Sequence, residues 1–493
     1  MAAQRAAARV HTLYAEHRRP PAAADGPAAT SAQGGAAAAA AHAAGQWFWH
    51  WAPDKKAAAG LPAQAWAAES SLNLAILSAP AEGEEGGGAP HPPPPALAKV
   101  QLRLATNVMP GDGGGAGRLP FLPPPLPGVP TTAATPPASV RASPSVLKSA
   151  LQKNIRLGRG APAVRLALHL LRTDPGDLLR RLGVIMVEDC MLHPALPLCV
   201  WAMAAGAKGY TLPRPAVAAI LRVVWQLAGA PVRDDPACWA SAPRLSLGGL
   251  FAEAGDGGTA AAATPATIPT PLSAQLPPEA CLLVRCLAAR AAYGGMACDV
   301  AMLRDAAGVW AARLAGAAGH PPALVEGGGA PAAPPASAPP PPSTDPGAAW
   351  LTYIWRASAA VPPPPPGLCD GPGIATGRPP SMADVPLSAI DFHVSGVADD
   401  ALLLPPVAAA AAAAAVRAGG EAAGSDGAER LRRAMWVFRS SINRRPRVVP
   451  LSAGAIARDK CERADLLPVW RVAAGAVDAW AADYIRGRFP VAG

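Results

Sequence analysis

Apolar residues recur at helical spacing through the middle of the chain. Segment 161–172 places Val164, Leu168 and Leu171 at i, i+4 and i+7, and segment 176–192 places Leu178, Leu182, Ile185 and Met186 on one face. Asp174-Pro175 between them is a helix start, with Asp as cap and Pro at the first helical position. His193-Pro194 ends the second helix. Segment 195–207 is apolar all round and therefore buried, and Gly206 and Gly209 supply the turn after it. Segment 214–228 is amphipathic through Val217, Leu221, Val224 and Trp225. Helices are expected also at 146–157, 279–293 and 296–314, with Gly294 and Gly295 at the joint of the last two. Short connections favour an antiparallel helical array. Further along, Ala389–Val394 alternates like a strand, 429–442 reads as a basic helix, and 465–486 carries Ala473, Val477, Trp480 and Tyr484 on one stripe.

Composition breaks this pattern into islands. The chain has 493 residues, with 60 Pro and 49 Gly, and much of its 51% hydrophobic content is Ala, which buries little area. Low-complexity stretches fall at roughly 20–45, 81–97, 110–145, 254–278, 318–348, 358–385 and 405–428. They hold few large apolar residues, so burial there does not offset the entropy of ordering the chain. The Ala run 408–415 is the one part with helical potential. All 13 Trp lie outside those stretches or at their margins and mark the folded parts. The expected division is a disordered tail 1–45, a small Trp-rich module 46–108 with strand character, and a Pro-rich linker 109–145. A helical core 146–315, a mostly disordered insert 316–385 and an α-rich region 386–493 follow. The fold class is mainly α: an antiparallel helical array with long disordered inserts and a small N-terminal β-containing module.

Charge adds the first functional lead. The net charge is +9, and Arg supplies 36 of the 43 basic residues. Arg suits bidentate phosphate contact, although GC-rich codon usage yields the same excess together with Ala, Pro and Gly. Segment 429–447 holds seven Arg against one Glu, interleaved with Trp436 and Phe438. Phosphate contact with base stacking uses that combination. The other reading is a solvated helix face with both aromatics turned inward. Segment 148–181 holds eight cations against Asp174 and Asp177. The candidate nucleic-acid-binding residues are Arg430, Arg432, Arg433, Arg439, Arg444, Arg445 and Arg447, with Lys153, Arg156, Arg159, Arg180 and Arg181 in support.

Catalytic candidates are sparse. Asp189 and His193 stand at i, i+4 beside Glu188 and Cys190, a spacing two metal ligands can use, and equally one a helix C-terminus favours. Asp391 and His393 share a strand face, with Ser440 or Ser441 as a conceivable third partner, but no nucleophile elbow is present. No phosphate-binding Gly-x-x-x-x-Gly-Lys-Ser/Thr loop occurs. The eight Cys show no Cys-x-x-Cys pair and read as buried free thiols. Trp47, Trp49 and Trp51 would line one strand face, as a small core or an aromatic platform. No cofactor or metal is expected. No secretory core or membrane span is evident; a nuclear or cytoplasmic protein is expected, and the Arg-bearing, Ala-rich N-terminus is also compatible with organelle transit.

Two partial resemblances follow. Lys148–Arg156, Arg180-Arg181-Leu182 and Glu188-Asp189 resemble the helical C-terminal domain of the clamp-loader-like AAA+ ATPases that act at stalled replication forks (the RarA type). The resemblance covers about 150–230, without the ATPase part, and implies a helical oligomerisation module near DNA. Trp47-x-Trp49, Trp66, Leu72–Leu77 and Val100–Leu104 resemble a WWE domain, which implies ADP-ribose recognition in ubiquitin-linked signalling. The expected function is a non-enzymatic, nucleic-acid-associated helical protein holding DNA or RNA backbone through Arg. The alternative is a protein–protein scaffold or adaptor of helical-array type.

Overall fold

A computed structural model describes residues 11–12, 47–52, 66–73, 99–106, 144–247, 250–251, 272–324, 344–369, 380–390, 405, 408–409, 425–440 and 445–488. Four strands, β1 (His11–Thr12), β2 (Trp47–Ala52), β3 (Trp66–Asn73) and β4 (Lys99–Thr106), form an antiparallel sheet in the order β1-β2-β4-β3. Register runs from Trp47 opposite Thr106 to Ala52 opposite Gln101, and from Trp66 opposite Thr106 to Asn73 opposite Lys99. The remaining architecture is helical: α1 (Pro144–Arg156), α2 (Gly160–Thr173), α3 (Pro175–Glu188), α4 (Leu196–Gly206), α5 (Arg214–Gly229), α6 (Pro278–Ala292), α7 (Ala297–Leu314), α8 (Pro346–Ala359), α9 (Ser425–Met435) and α10 (Ala453–Arg488). The protein is mainly α.

The stripes explain the packing. Val164, Leu168 and Leu171 of α2 are buried, as are Leu178, Leu182, Ile185 and Met186 of α3. Asp174 caps α3 by accepting the Asp177 amide at 2.9 Å, and Pro175 opens it. Helix α4 is buried along nearly its whole length, from Leu196 to Ala205. Around it, α1–α8 share one apolar core.

That core reaches beyond 146–315. Leu72, Leu102 and Leu104 of the sheet belong to it, and Trp66 meets Trp201 and Tyr210 with ring centroids 5.9 and 4.8 Å apart. The sheet is a layer against α4, with its apolar face covered by helices. From the other direction, Trp350, Tyr353 and Ile354 of α8 join the core, together with Cys369, Val385 and Ile390. Parts of the expected insert 316–385 are therefore packed elements, anchored by aromatic and branched side chains within Pro-rich surroundings.

The third island differs from expectation in three ways. Leu387–Ala389 is a 3-10 turn, not the start of a strand, and 391–394 lie outside the described residues. The basic helix ends at Met435 and passes into one π-helical turn, Trp436–Ser440. The final helix begins at Ala453, twelve residues before the expected start, and runs 36 residues through Pro468. A proline inside a helix leaves the carbonyl four residues earlier unbonded. Pro468 and Ala464 both lie on the exposed side of α10, so the missing bond falls on the solvent side of the helix. A second, smaller core of Leu431, Ala434, Met435, Val437, Leu466, Val469, Ala473 and Val477 joins α9 to α10.

Candidate nucleic-acid interface

The Arg-rich segment 429–447 does not present its cations as one row. Burial of Leu431, Ala434 and Met435 against α10 sets the face of α9. Arg430 then donates to the Asp465 carbonyl at 3.3 Å, Arg433 pairs with Glu462 at 2.5 Å, and Arg432 stands 3.7 Å from Glu429. The π turn shifts the register and carries Arg439 inward. Its side chain donates to the Leu387 carbonyl at 2.7 Å and pairs with Asp478 at 2.9 Å. Phe438 stacks on Trp470 with centroids 6.1 Å apart, and Trp436 packs on the same small core. Both aromatics are thus turned inward, not offered as a stacking platform.

Arg445 makes the most internal hydrogen bonds of these cations. Its guanidinium donates to the carbonyls of Ile155, Leu227, Ala228 and Asp189 at 2.5, 2.9, 2.6 and 3.2 Å, and lies 3.4 Å from the Cys190 sulfur. Those carbonyls belong to the ends of α1, α5 and α3. Each helix C-terminus carries unsatisfied carbonyls and a partial negative charge, so one cation caps three helices. Arg447 pairs with Asp235 at 2.5 Å, where Arg233 also binds at 2.9 Å. Residues 445–448 are held by main-chain bonds as well, from the Arg233 amide to the Pro446 carbonyl and from the Val448 amide to the Arg233 carbonyl. Arg444 lies outside the described residues.

The second basic region divides. Lys153 and Arg156 are buried, and Arg156 binds Asp189 at 2.5 Å and Glu188 at 3.2 Å. Gln152 donates to the same two carboxylates at 2.7 and 2.8 Å. Burial, and next the neighbouring Asp189, push the Glu188 carboxyl up. The residues that carried the AAA+ resemblance at the two ends of this network therefore lock α1 to α3. Lys148 binds Asp177 at 2.7 Å, and Arg165 binds the buried Asp384 at 2.5 Å. Three candidates stay toward solvent: Arg159, with one bond to the Ala383 carbonyl; Arg180, exposed; and Arg181, 3.8 Å from Asp299.

The expected acid–histidine cluster is not assembled. Helix α3 stops at Glu188, so Asp189 and His193 do not share a helical face. Asp189 turns to Arg156 and Gln152, whereas His193 Nδ1 accepts the Ala195 amide at 3.1 Å. His193 Nε2 is buried without a hydrogen-bond partner of good geometry, with Gln226 beside it, and burial lowers its pKa to about 4 against the pull of that side chain. Burial likewise raises the Cys190 thiol to about 11, and it donates to the Leu227 carbonyl at 3.4 Å. All eight cysteines are free. No group of three or more His, Cys, Asp or Glu that could hold a metal occurs among the described residues. No described helix is long and apolar enough to cross a membrane. Asp391, His393 and Ser441, and the side chains of Trp47, Trp49 and Trp51, lie outside the described residues.

Sequence reasoning missed one cation altogether. Arg313 is buried, makes two bonds to Asp234 at 2.5 and 3.1 Å, and lies 4.7 Å from the ring centroids of both Trp310 and Trp350. The i, i+3 spacing of Trp310 and Arg313 was a visible signal, but nothing local announced Trp350. No family model, curated protein or solved structure matches this chain.

Proposed function

We propose that the protein is a non-enzymatic helical-array scaffold for protein partners. The observation that carries this reading is the engagement of its arginines. Arg156, Arg439, Arg445 and Arg447 tie helices and loops that are far apart in sequence, so the basic segments act as internal clamps. The outside of α10 supports the same reading. Its first dozen residues are almost wholly exposed, and Ile456 and Val472 are large apolar side chains left in water. Exposed apolar positions of this kind favour protein contact.

A second reading, binding of DNA or RNA backbone, is favoured by Arg159, Arg180 and Arg181, which remain toward solvent. The two separate by salt. A partner held through apolar contacts stays on the immobilised full chain at about 0.5 M salt, where exposed charges are screened within a few ångströms. The scaffold reading expects such a partner, released by Ile456→Glu with Val472→Glu and unaffected by Arg159→Ala. It fails if the retained material is nucleic acid that elutes steeply with salt and is lost on Arg180→Ala with Arg181→Ala.

A further inference from the structure

Helix α8 leads into the longest proline run of the chain, Pro362 to Pro366. Val361 to Pro365 each precede a proline, and a residue so placed is held out of the helical region. Each proline also has its own φ fixed by the ring. Together these constraints drive the run into the polyproline II conformation, a left-handed helix of about three residues per turn without internal hydrogen bonds. Exposure along the segment has that period. Val361 is buried and Pro364 and Gly367 are half-buried, three apart along one edge, whereas Pro362, Pro363, Pro365 and Pro366 are exposed.

Both ends of the run are fastened. Val361 packs against Gly229 at the end of α5, where a Cβ would collide with it. The Trp225 indole of α5 donates to the Pro362 carbonyl at 2.8 Å. Trp225 itself lies across Gly160 of α2, where a Cβ would stand 2.7 Å from its ring. At the far end the Leu368 amide donates to the Pro365 carbonyl at 3.2 Å. Pro366 and Gly367, the latter at φ of 81°, take the central positions of this turn, as a type II turn requires. Leu368 packs on the core and Cys369 is buried in it. Between the fastened ends, the carbonyls of Pro363 and Pro364 have no donor among the described residues.

Such a ridge is shaped as a ligand. Its order is already set by folding, so a partner that covers the outward prolines loses little conformational entropy in doing so. We propose that Pro362–Pro366 is a docking ridge for a protein domain whose groove is lined by aromatic rings and carries donors for the Pro363 and Pro364 carbonyls. The exposed pairs Pro362-Pro363 and Pro365-Pro366 enter two successive slots between the rings, the mode in which proline-rich segments of this period are held. The ridge uses no residue of α10 and holds or fails apart from it.

Calorimetric titration of the full chain tests it, with a purified SH3 domain, WW domain and EVH1 domain as probes. At least one domain is expected to bind, about tenfold or more weakly after Pro363→Ala with Pro365→Ala. Both substitutions fall on exposed side chains and keep every carbonyl, and unchanged circular dichroism guards against a folding defect. Pro322→Ala, at an exposed proline outside the run, should leave binding as it was. The shorter runs 92–95 and 339–342 are intact in the double variant, so undiminished binding there would assign the contact to them and not to the ridge. Trp225→Phe keeps every proline but removes the donor that holds the Pro362 carbonyl. Binding should then weaken severalfold, because the partner must order the ridge itself. The proposal is overturned if none of the three domains binds, or if either the double proline variant or Trp225→Phe binds as tightly as the native chain.

Discussion

Arg445 shows how one side chain can organise a fold. Its planar fork reaches carbonyls at the ends of three helices, and no other side chain type presents so many fixed donors. Replacing it with Met keeps the apolar stem but strands those carbonyls and opens the seam between α1, α3 and α5. Arg445→Met should lower the unfolding free energy by about 1–3 kcal/mol, the cost of leaving part-buried carbonyls without their charged donor. Urea titration followed by tryptophan fluorescence measures it, and a loss below about 1 kcal/mol would show that water serves those carbonyls equally well. His193 works through solvation instead. Its folded pKa of about 4 lies below the ordinary value of 6.5, so the unfolded chain binds the extra proton first. The stability due to neutral His193 is fully present above pH 6.5 and is lost as pH falls toward 4, by up to about 3 kcal/mol. Glu188, shifted upward, acts in the opposite sense. The contribution of His193 is therefore isolated by His193→Gln, which should flatten the pH dependence of urea midpoints between pH 4 and 6.5.

At the scale of elements, periodicity carried most of the information. The stripes of α2, α3 and α5 in the sequence are the buried faces in the structure, and the Asp174-Pro175 cap sits where it was expected. What stayed hidden depended on distant partners. The π turn at Trp436–Ser440 follows no local signal, because it serves Leu387 and Asp478 by turning Arg439 inward. The charge of segment 429–447 was visible, but the acceptors that absorb it, Ile155 and Asp235 among them, lie more than 200 residues away. Helix α8 was marked by Trp350 and Trp355, yet nothing near them pointed to Arg313 as the anchor. Trp350 now closes one side of the Arg313 guanidinium and donates to the Gly319 carbonyl at 2.7 Å. Trp350→Ala should cost about 3–5 kcal/mol and release α8 first. Limited proteolysis should then cut near Pro346–Ala359 before the core unfolds, and cleavage elsewhere first would assign the anchoring to other contacts.

At the scale of the whole molecule, the net charge of +9 is a poor guide to the surface, because the cations are unequally available. If all twelve candidate cations met phosphates, affinity for duplex DNA would fall with salt with a log–log slope near −11, at about 0.9 per phosphate. Lys153, Arg156 and Arg439 are buried, and Arg445 spends its guanidinium on four internal carbonyls. Drawing these outward would break the seams that join α9, α10 and residues 445–448 to the core. Arg159, Arg180, Arg181, Arg432, Arg433 and Arg447 face solvent at least in part, so any backbone contact by the described candidates should show a slope of about −5 or shallower, at about 0.9 per phosphate. Fluorescence anisotropy of the full chain with labelled duplex DNA, across a salt series, measures that slope directly. A slope in that range, made shallower by about 3 in the Arg159→Ala, Arg180→Ala, Arg181→Ala triple variant, is the expected result. A slope steeper than about −6 would require that the clamps open on binding, and tryptophan fluorescence at Trp436 and Trp470 would then change with salt in step with affinity.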